Sequence, residues 1–290
     1  MYHIKRFHEN GEVLRQNAVT QKDGTELEYL TFPLLEHTGI IKHMVSTRLG
    51  GRSMGEFSTM NLSFTRGDNP DAVRENYGRI ADILECKVND MVASHQTHTT
   101  NIRKVTAQDK GTGILRQSFQ DVDGLITNEP GIVLVTYFAD CVPLFFVDVE
   151  HFAVGLAHSG WRGTVAGMGA YMVRAMEQAY GSRPESLYAA IGPSICRDCY
   201  EVSEDVAQRF MDLFGEDVVF PGKRAGKYQL DLWNSNKKIL LQAGILQEHI
   251  TVTDICTCHN SEYLFSHRAN GERRGNFGAF LMLAPGGGER

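Results

Sequence analysis

The chain carries no excess of positive charge: 29 Lys and Arg stand against 35 Asp and Glu, a formal net charge of −6, and no basic block stands out. Without such a block there is little to track a phosphodiester backbone, so nucleic acid is not the expected partner. Long hydrophobic runs are missing too. The longest are broken by Asp140, Pro143 and Asp148, well short of the roughly 20 residues that span a bilayer. The opening stretch MYHIKRFHEN has no apolar core of the kind a secretory signal needs. The expected location is the cytoplasm, with no membrane association. In that compartment the six cysteines, Cys86, Cys141, Cys196, Cys199, Cys256 and Cys258, are expected as thiols or metal ligands rather than disulfides. Repeats and linkers are absent as well, so the 290 residues predict one domain, 1–290, whose 42% hydrophobic content is ample for a continuous core.

What is present is an alternation of strand and helix signals. Residues 1–35 suit an edge hairpin, and residues 45–53 read as a short strand running into a glycine-rich loop. Residues 132–138, 144–149 and 152–157 are short runs rich in β-branched and aromatic side chains, which predicts three buried strands. Asp68-Asn69-Pro70 supplies an N-cap and a first-turn proline to a helix marked by Val73, Tyr77, Ile80 and Leu84. Val165, Met168, Met172, Ala175, Met176 and Ala179 mark a second helix, stopped by Gly181. Its N-terminus is expected beside His158 and Arg162, where free amides favour an anion. Helices over 203–214 and 232–243 and strands over 188–191, 250–255 and 277–283 follow, and the glycine-rich tail 285–290 is expected to be mobile. The fold class is α/β: a layered sandwich of mixed sheets covered by helices.

Within residues 131–163, Cys141 and His158 each sit at the polar edge of an apolar run. A thiolate and an imidazole on neighbouring strands are what a zinc or copper site, or a Cys–His nucleophile pair, requires. Upstream, Ser94-His95-Gln96-Thr97-His98 offers two more imidazoles, and spacing alone does not choose between them. Arg48 and Asn61, with Arg162, can present cations and an amide to an anionic or polar ligand, whereas Arg52 reads as part of a solvated turn. A second cluster, Cys196-Arg197-Asp198-Cys199 with Cys256-Thr257-Cys258-His259, has only half the spacing of a closed thiolate zinc site. Its C-x-x-C arm suits zinc, but C-x-C is too cramped to give both sulfurs to one tetrahedral ion. These four cysteines are therefore expected as reduced thiols.

The chain resembles the YfiH-like family, variously described as laccase-domain, polyphenol oxidase or purine nucleoside phosphorylase proteins, its bacterial YlmD branch most of all. The resemblance rests on Ser46-Thr47-Arg48 with Gly50-Gly51, Asn61-Leu62, Gln96-Thr97-His98, Asp123-Gly124, Ala139-Asp140-Cys141-Val142-Pro143 and His158-Ser159-Gly160-Trp161-Arg162-Gly163. Ile191-Gly192-Pro193, Leu230-Asp231-Leu232 and Phe265-Ser266-His267-Arg268 continue it. The chain departs at Phe138, at His267-Arg268 and at Arg274-Gly275-Asn276-Phe277. The resemblance implies a zinc ion, with copper the alternative, held by His98, Cys141 and His158, and makes His95 a pocket residue.

Three protein ligands leave a fourth position at which water can be polarised, which favours catalysis. By resemblance, the substrates are purine nucleosides and phosphate: phosphorolysis of adenosine, inosine, guanosine or methylthioadenosine, and hydrolytic deamination of adenosine. Asp140 is the expected proton carrier beside Cys141 and His158, and Arg48, Asn61 and Arg162 the expected substrate and phosphate contacts. The competing readings are a copper-dependent polyphenol oxidase, a Cys–His hydrolase of peptidoglycan precursors and a non-enzymatic zinc protein acting as a partner.

Overall fold

The computed structural model describes residues 1–7 and 13–285. Of the tail expected to be mobile, all but Pro285 lies outside them. The strands are β1 (Arg15–Thr20), β2 (Glu26–Thr31), β3 (Ile41–Ser46), β4 (Met91–Ala93), β5 (Ile102–Lys104), β6 (Gly124–Thr127), β7 (Val133–Phe138), β8 (Val142–Asp148), β9 (Ala153–Ser159), β10 (Leu187–Ile191), β11 (Glu201–Ser203), β12 (Val219–Pro221), β13 (Lys227–Leu230), β14 (Ile250–Val252) and β15 (Phe277–Leu283). The helices are α1 (Pro33–Glu36), α2 (Pro70–Leu84), α3 (Trp161–Val165), α4 (Met168–Tyr180), α5 (Glu204–Phe214), α6 (Leu232–Gln242) and α7 (His267–Asn270). One six-stranded sheet runs β1-β2-β3-β15-β7-β4 and a second β14-β10-β8-β9-β6-β5, with a small sheet β11-β13-β12 at the side. Most pairs are antiparallel, and β4–β7, β5–β6 and β10–β14 are parallel.

Alternation along the strands sets the layers. Phe277, Ala279 and Leu281 of β15 join Leu134 of β7, Phe145 and Val147 of β8 and Val154 and Leu156 of β9 in one core between the large sheets. The intervening residues face outward: Phe280 and Met282 meet Tyr77 and Ile80 of α2, while Leu144 and Phe146 meet Met172 of α4 and Leu240 of α6. Period-two side-chain direction thus gives four layers, helix, sheet, sheet, helix. The expected sandwich is the one observed.

Local signals place most helices as the sequence predicts. The Asn69 side chain accepts the Asp71 N–H and Pro70 opens α2, and the Asp231 carboxylate accepts the Asn234 N–H at the start of α6. One expectation is corrected. The helix expected to run unbroken from beside His158 to Gly181 is two, because Gly167 takes the left-handed conformation (φ +81°) between α3 and α4. The N-terminus beside His158 therefore belongs to a helix of five residues, Trp161–Val165. Pro143, expected between strands, lies within β8 opposite His158. Among the described residues, no helix is long and apolar enough to cross a membrane.

Candidate functional site

At one end of the sandwich the chain passes twice from the first large sheet to the second: after β4 through residues 94–101 into β5, and after β7 through residues 139–141 into β8. β4 and β7 are parallel neighbours, so the crossings leave side by side. His98 rides on the first crossing and Cys141 on the second. His158 arrives from β9, where it pairs with Pro143.

These three residues converge, with their ligand atoms within 4.8 Å of one another. The His98 and His158 rings stand edge to face at 4.9 Å between centroids. His158 is 4% exposed, Cys141 half-buried and His98 exposed, so the cluster opens on the His98 side. The approach depends on Gly160: a Cβ there would come within 3.0 Å of both Cys141 Sγ and the His98 ring.

Asp123, fully buried at the entrance to β6, organises both histidines. Its Oδ1 accepts from His158 Nδ1 at 2.8 Å and from the His98 N–H at 3.1 Å. Its Oδ2 accepts from the Thr97 and Thr99 N–H groups and the Thr99 hydroxyl at 3.0, 2.9 and 3.0 Å. Those bonds hold His98 at φ +65°, a left-handed conformation uncommon outside glycine but one that histidine adopts more readily than most residues. The bond at Nδ1 leaves His158 Nε2 for the cluster, the arrangement by which a carboxylate fixes a ligand's tautomer.

The electrostatics follow from this packing. Burial works against the Cys141 thiolate, but the His158 charge and the hydrogen bonds from His158 and His98 outweigh it and bring the thiol down to about 6. Burial likewise opposes a charged His158, and the Cys141 and Asp123 anions raise it to about 9. Desolvation would keep Asp123 neutral, yet the His158 bond and charge and the Thr99 and Thr97 amides hold it at about 2. The soft sulfur, two imidazoles and orienting carboxylate suit a metal cation with one open side.

The cluster forms part of the wall of a cleft of about 890 Å³ that includes Phe64, Tyr137, Trp161 and Tyr200. Arg66, Arg162, Arg268 and Arg274 face it against the acids Asp140 and Glu272, an excess of cations on a chain of net charge −6. Arg162 is exposed and stacks on Trp161 at 4.3 Å. Arg274 is 6% exposed with an unbonded Nε, and burial together with neighbouring Arg66 lowers it to about 10. A smaller cavity of about 380 Å³ beside α4 and α6 holds neither Cys nor His.

Of the residues expected from sequence, His98, Cys141, His158, Asp140 and Arg162 reach the cleft, and His95 lines it outside the cluster. Asp140 accepts from the Thr257 hydroxyl at 2.7 Å and from the Arg268 N–H at 2.6 Å. Two others stand outside the lining of the cleft. The Arg48 guanidinium donates to the Ser58 and Ser261 carbonyls at 2.9 and 2.6 Å and lies over Phe265. Asn61 is fully buried, its amide spent on Ser63, Asp68 and Asn276, so it shapes the cleft wall from behind. Sequence reasoning did not single out Asp123 as a site residue, nor Arg66 or Arg274. The signals were an acid opening the apolar run 122–127 and an arginine at the altered C-terminal element.

The chain is similar to several known proteins. Residues 42–284 match a family model described as multi-copper polyphenol oxidoreductase laccase. Purine nucleoside phosphorylase YlmD of Geobacillus stearothermophilus is 36% identical over 241 residues, covering 82% of this chain and 88% of that protein. Adenosine deaminase RL5 from an unknown prokaryotic organism is 32% identical over 217 residues, covering 73% of this chain and 82% of that protein. The crystal structure of the Geobacillus YlmD superposes with a TM-score of 0.85 at 33% identity, over 94% of this chain and 99% of that one.

Proposed function

Since the chain belongs to the multi-copper polyphenol oxidoreductase laccase family, we propose that it is a zinc-dependent enzyme of purine nucleosides. The reactions are phosphorolysis of adenosine, inosine, guanosine or methylthioadenosine and hydrolytic deamination of adenosine. The observation that carries this reading is the His98–Cys141–His158 cluster, oriented by Asp123, in a cleft with aromatic walls and arginines. The named relatives include both activities.

His98, Cys141 and His158 would hold the zinc, which when bound supplies Lewis acidity at the open side of the cluster. The aromatic side chains give a purine flat surfaces to stack on. Arg66, Arg162 and Arg274 take the phosphate role: all three line the cleft, and the Arg274 guanidinium is already desolvated, where oxyanion hydrogen bonds are strongest. Asp140 carries the proton in deamination. Each of its oxygens accepts one bond from the chain, which leaves acceptor capacity on a side chain that lines the cleft. Metal analysis together with a nucleoside panel tests the reading. Base release that requires phosphate, and ammonia release from adenosine that does not, are expected of zinc-loaded protein. Neither product from protein with full zinc would overturn it.

A second reading draws on one observation: Asp123, His158 and Cys141 stand in the order of an acid–imidazole–thiol triad, with the thiolate favoured. A Cys–His hydrolase of peptidoglycan precursors would use them so. Chelator-resistant turnover with a covalent adduct at Cys141 would establish it in place of the nucleoside reaction. A multicopper oxidase fits less well. His98, Cys141 and His158 match the His₂Cys set of a blue-copper site, but the other cluster among the described residues holds three cysteines and a single histidine, His259, too few imidazoles for a further copper cluster.

A further inference from the structure

The second cysteine region does not stay dispersed. The ligand atoms of Cys196, Cys199, Cys256 and His259 all lie within 4.8 Å of one another. Two tight turns bring them there. The C-x-x-C arm folds back on itself, with the Cys199 and Tyr200 N–H groups donating to the Cys196 carbonyl at 3.1 and 3.0 Å. In the other arm the Asn260 N–H donates to the Cys256 carbonyl at 3.1 Å, which sets Cys256 and His259 on one side of a turn. A bridge between Ser194 and Cys256 joins the two arms. The Cys196 N–H points at Cys256 Sγ at 3.3 Å, and His259 places its Nδ1 3.8 Å from Cys196 Sγ and its Nε2 3.2 Å from Cys199 Sγ.

This is the donor set that C-x-C crowding forbids Cys258 to complete and that His259, one residue on, supplies instead. A tetrahedral ion with bonds of about 2.3 Å to sulfur and about 2.0 Å to nitrogen spaces its ligands some 3.5–3.8 Å apart. The four ligand atoms here lie within 4.8 Å of one another, so a modest inward shift of the side chains would bring them to that spacing around an ion. Four protein ligands leave no open position, and thiolates with one imidazole select zinc over oxygen-seeking cations. Cys196 and Cys256 are buried, Cys199 is half-buried and the Phe7 ring packs against His259 at 5.7 Å.

We propose that Cys196, Cys199, Cys256 and His259 form a second, closed zinc site that clamps one wall of the cleft. The clamp reaches the first cluster through named bonds. Thr257, inside the Cys256–His259 turn, donates to Asp140 at 2.7 Å. The Cys199 carbonyl accepts from the Arg268 guanidinium at 2.8 Å, and the Arg268 N–H holds the other Asp140 oxygen at 2.6 Å. Asp140 precedes Cys141, so fixing these two turns fixes the crossing on which Cys141 sits.

The site stands whether or not the cleft is catalytic, and the Cys141→Ser variant separates the two questions. Elemental analysis of protein purified without metal-affinity resin should find two zinc ions per chain. Cys141→Ser should retain one, and adding His259→Gln or Cys199→Ser to it should remove that one. Cobalt(II) exchanged into folded Cys141→Ser provides a readout independent of the second-cluster variants: a tetrahedral thiolate site gives intense visible bands and sulfur-to-cobalt charge transfer. Zinc absent from Cys141→Ser, zinc undiminished in Cys141→Ser with His259→Gln, or cobalt bound without thiolate bands would overturn the proposal. So would a disulfide among these cysteines, seen as fewer than six free thiols in the denatured wild-type chain.

Discussion

Asp123 accepts five hydrogen bonds from two directions, the His98 turn and the His158 ring. Replacing it with Asn keeps the shape but sets an amide donor against some of those donors and removes the charge. Zinc affinity at the cleft is expected to fall roughly 10–100-fold, the usual cost of losing a carboxylate behind a ligand histidine, and competition with a chromophoric chelator measures it. His95→Ala serves as the control that keeps the metal, and an Asp123→Asn protein with unchanged affinity would leave the carboxylate without this role. The arginines divide in a similar way. Arg274→Ala is expected to raise the apparent KM for phosphate roughly 10–100-fold, the equivalent of a charged hydrogen bond of about 1.5–3 kcal/mol. Arg48→Ala should leave phosphate use alone and lower the melting temperature, because it strips donors from the Ser58 and Ser261 carbonyls. Equal phosphate kinetics in both variants would remove Arg274 from the anion corner.

At the scale of elements, the cluster is made by connections rather than by strands. β8 and β9 were legible because both faces are buried and apolar residues run on without interruption. α2 and α6 were legible because their caps and apolar spacing agree. The break at Gly167 was not, since Val165 and Met168 keep the helical spacing across it and only backbone geometry reveals the turn. Nor does period-two alternation say which sheet a strand joins, so the two crossings that carry His98 and Cys141 could not be placed from sequence. The choice of His98 over His95 came from resemblance. For Arg48 and Asn61, residue type announces a capacity to bind, and the fold engages that capacity in contacts within the chain. The junction from β9 to α3 offers a direct check. Gly160→Ala inserts a methyl 3.0 Å from both Cys141 Sγ and the His98 ring, and the protein is expected to fold with reduced zinc occupancy at the cleft. Full occupancy in that variant would mean that the crossings shift freely, and that the narrow approach is not what assembles the cluster.

For the whole molecule, the core between the two large sheets joins the layers, and a titratable group sits inside it. His43 of β3 is 6% exposed, its ring stacked on Phe32 and edge-on to Phe145, and its Nε2 accepts the Phe32 N–H at 2.8 Å. That acceptor role requires the neutral ring, and burial lowers its pKa from 6.5 to about 3. Between those values the unfolded chain takes up a proton that the folded chain refuses, so stability rises with pH across the window and is lost as pH falls from about 6.5 toward 3. The slope for one such group approaches about 1.4 kcal/mol per pH unit. His43→Leu removes the slope and leaves the Phe32 N–H without a partner, a cost of about 1–3 kcal/mol. At pH 8, denaturant unfolding should therefore find the variant weaker than the wild type, with the gap closing as acid is added. Carboxylates common to both proteins titrate alike and cancel in the difference. A gap that stays constant down to about pH 4.5 would show that His43 accepts its proton in the folded state, and that the sheets part there more readily than the packing implies.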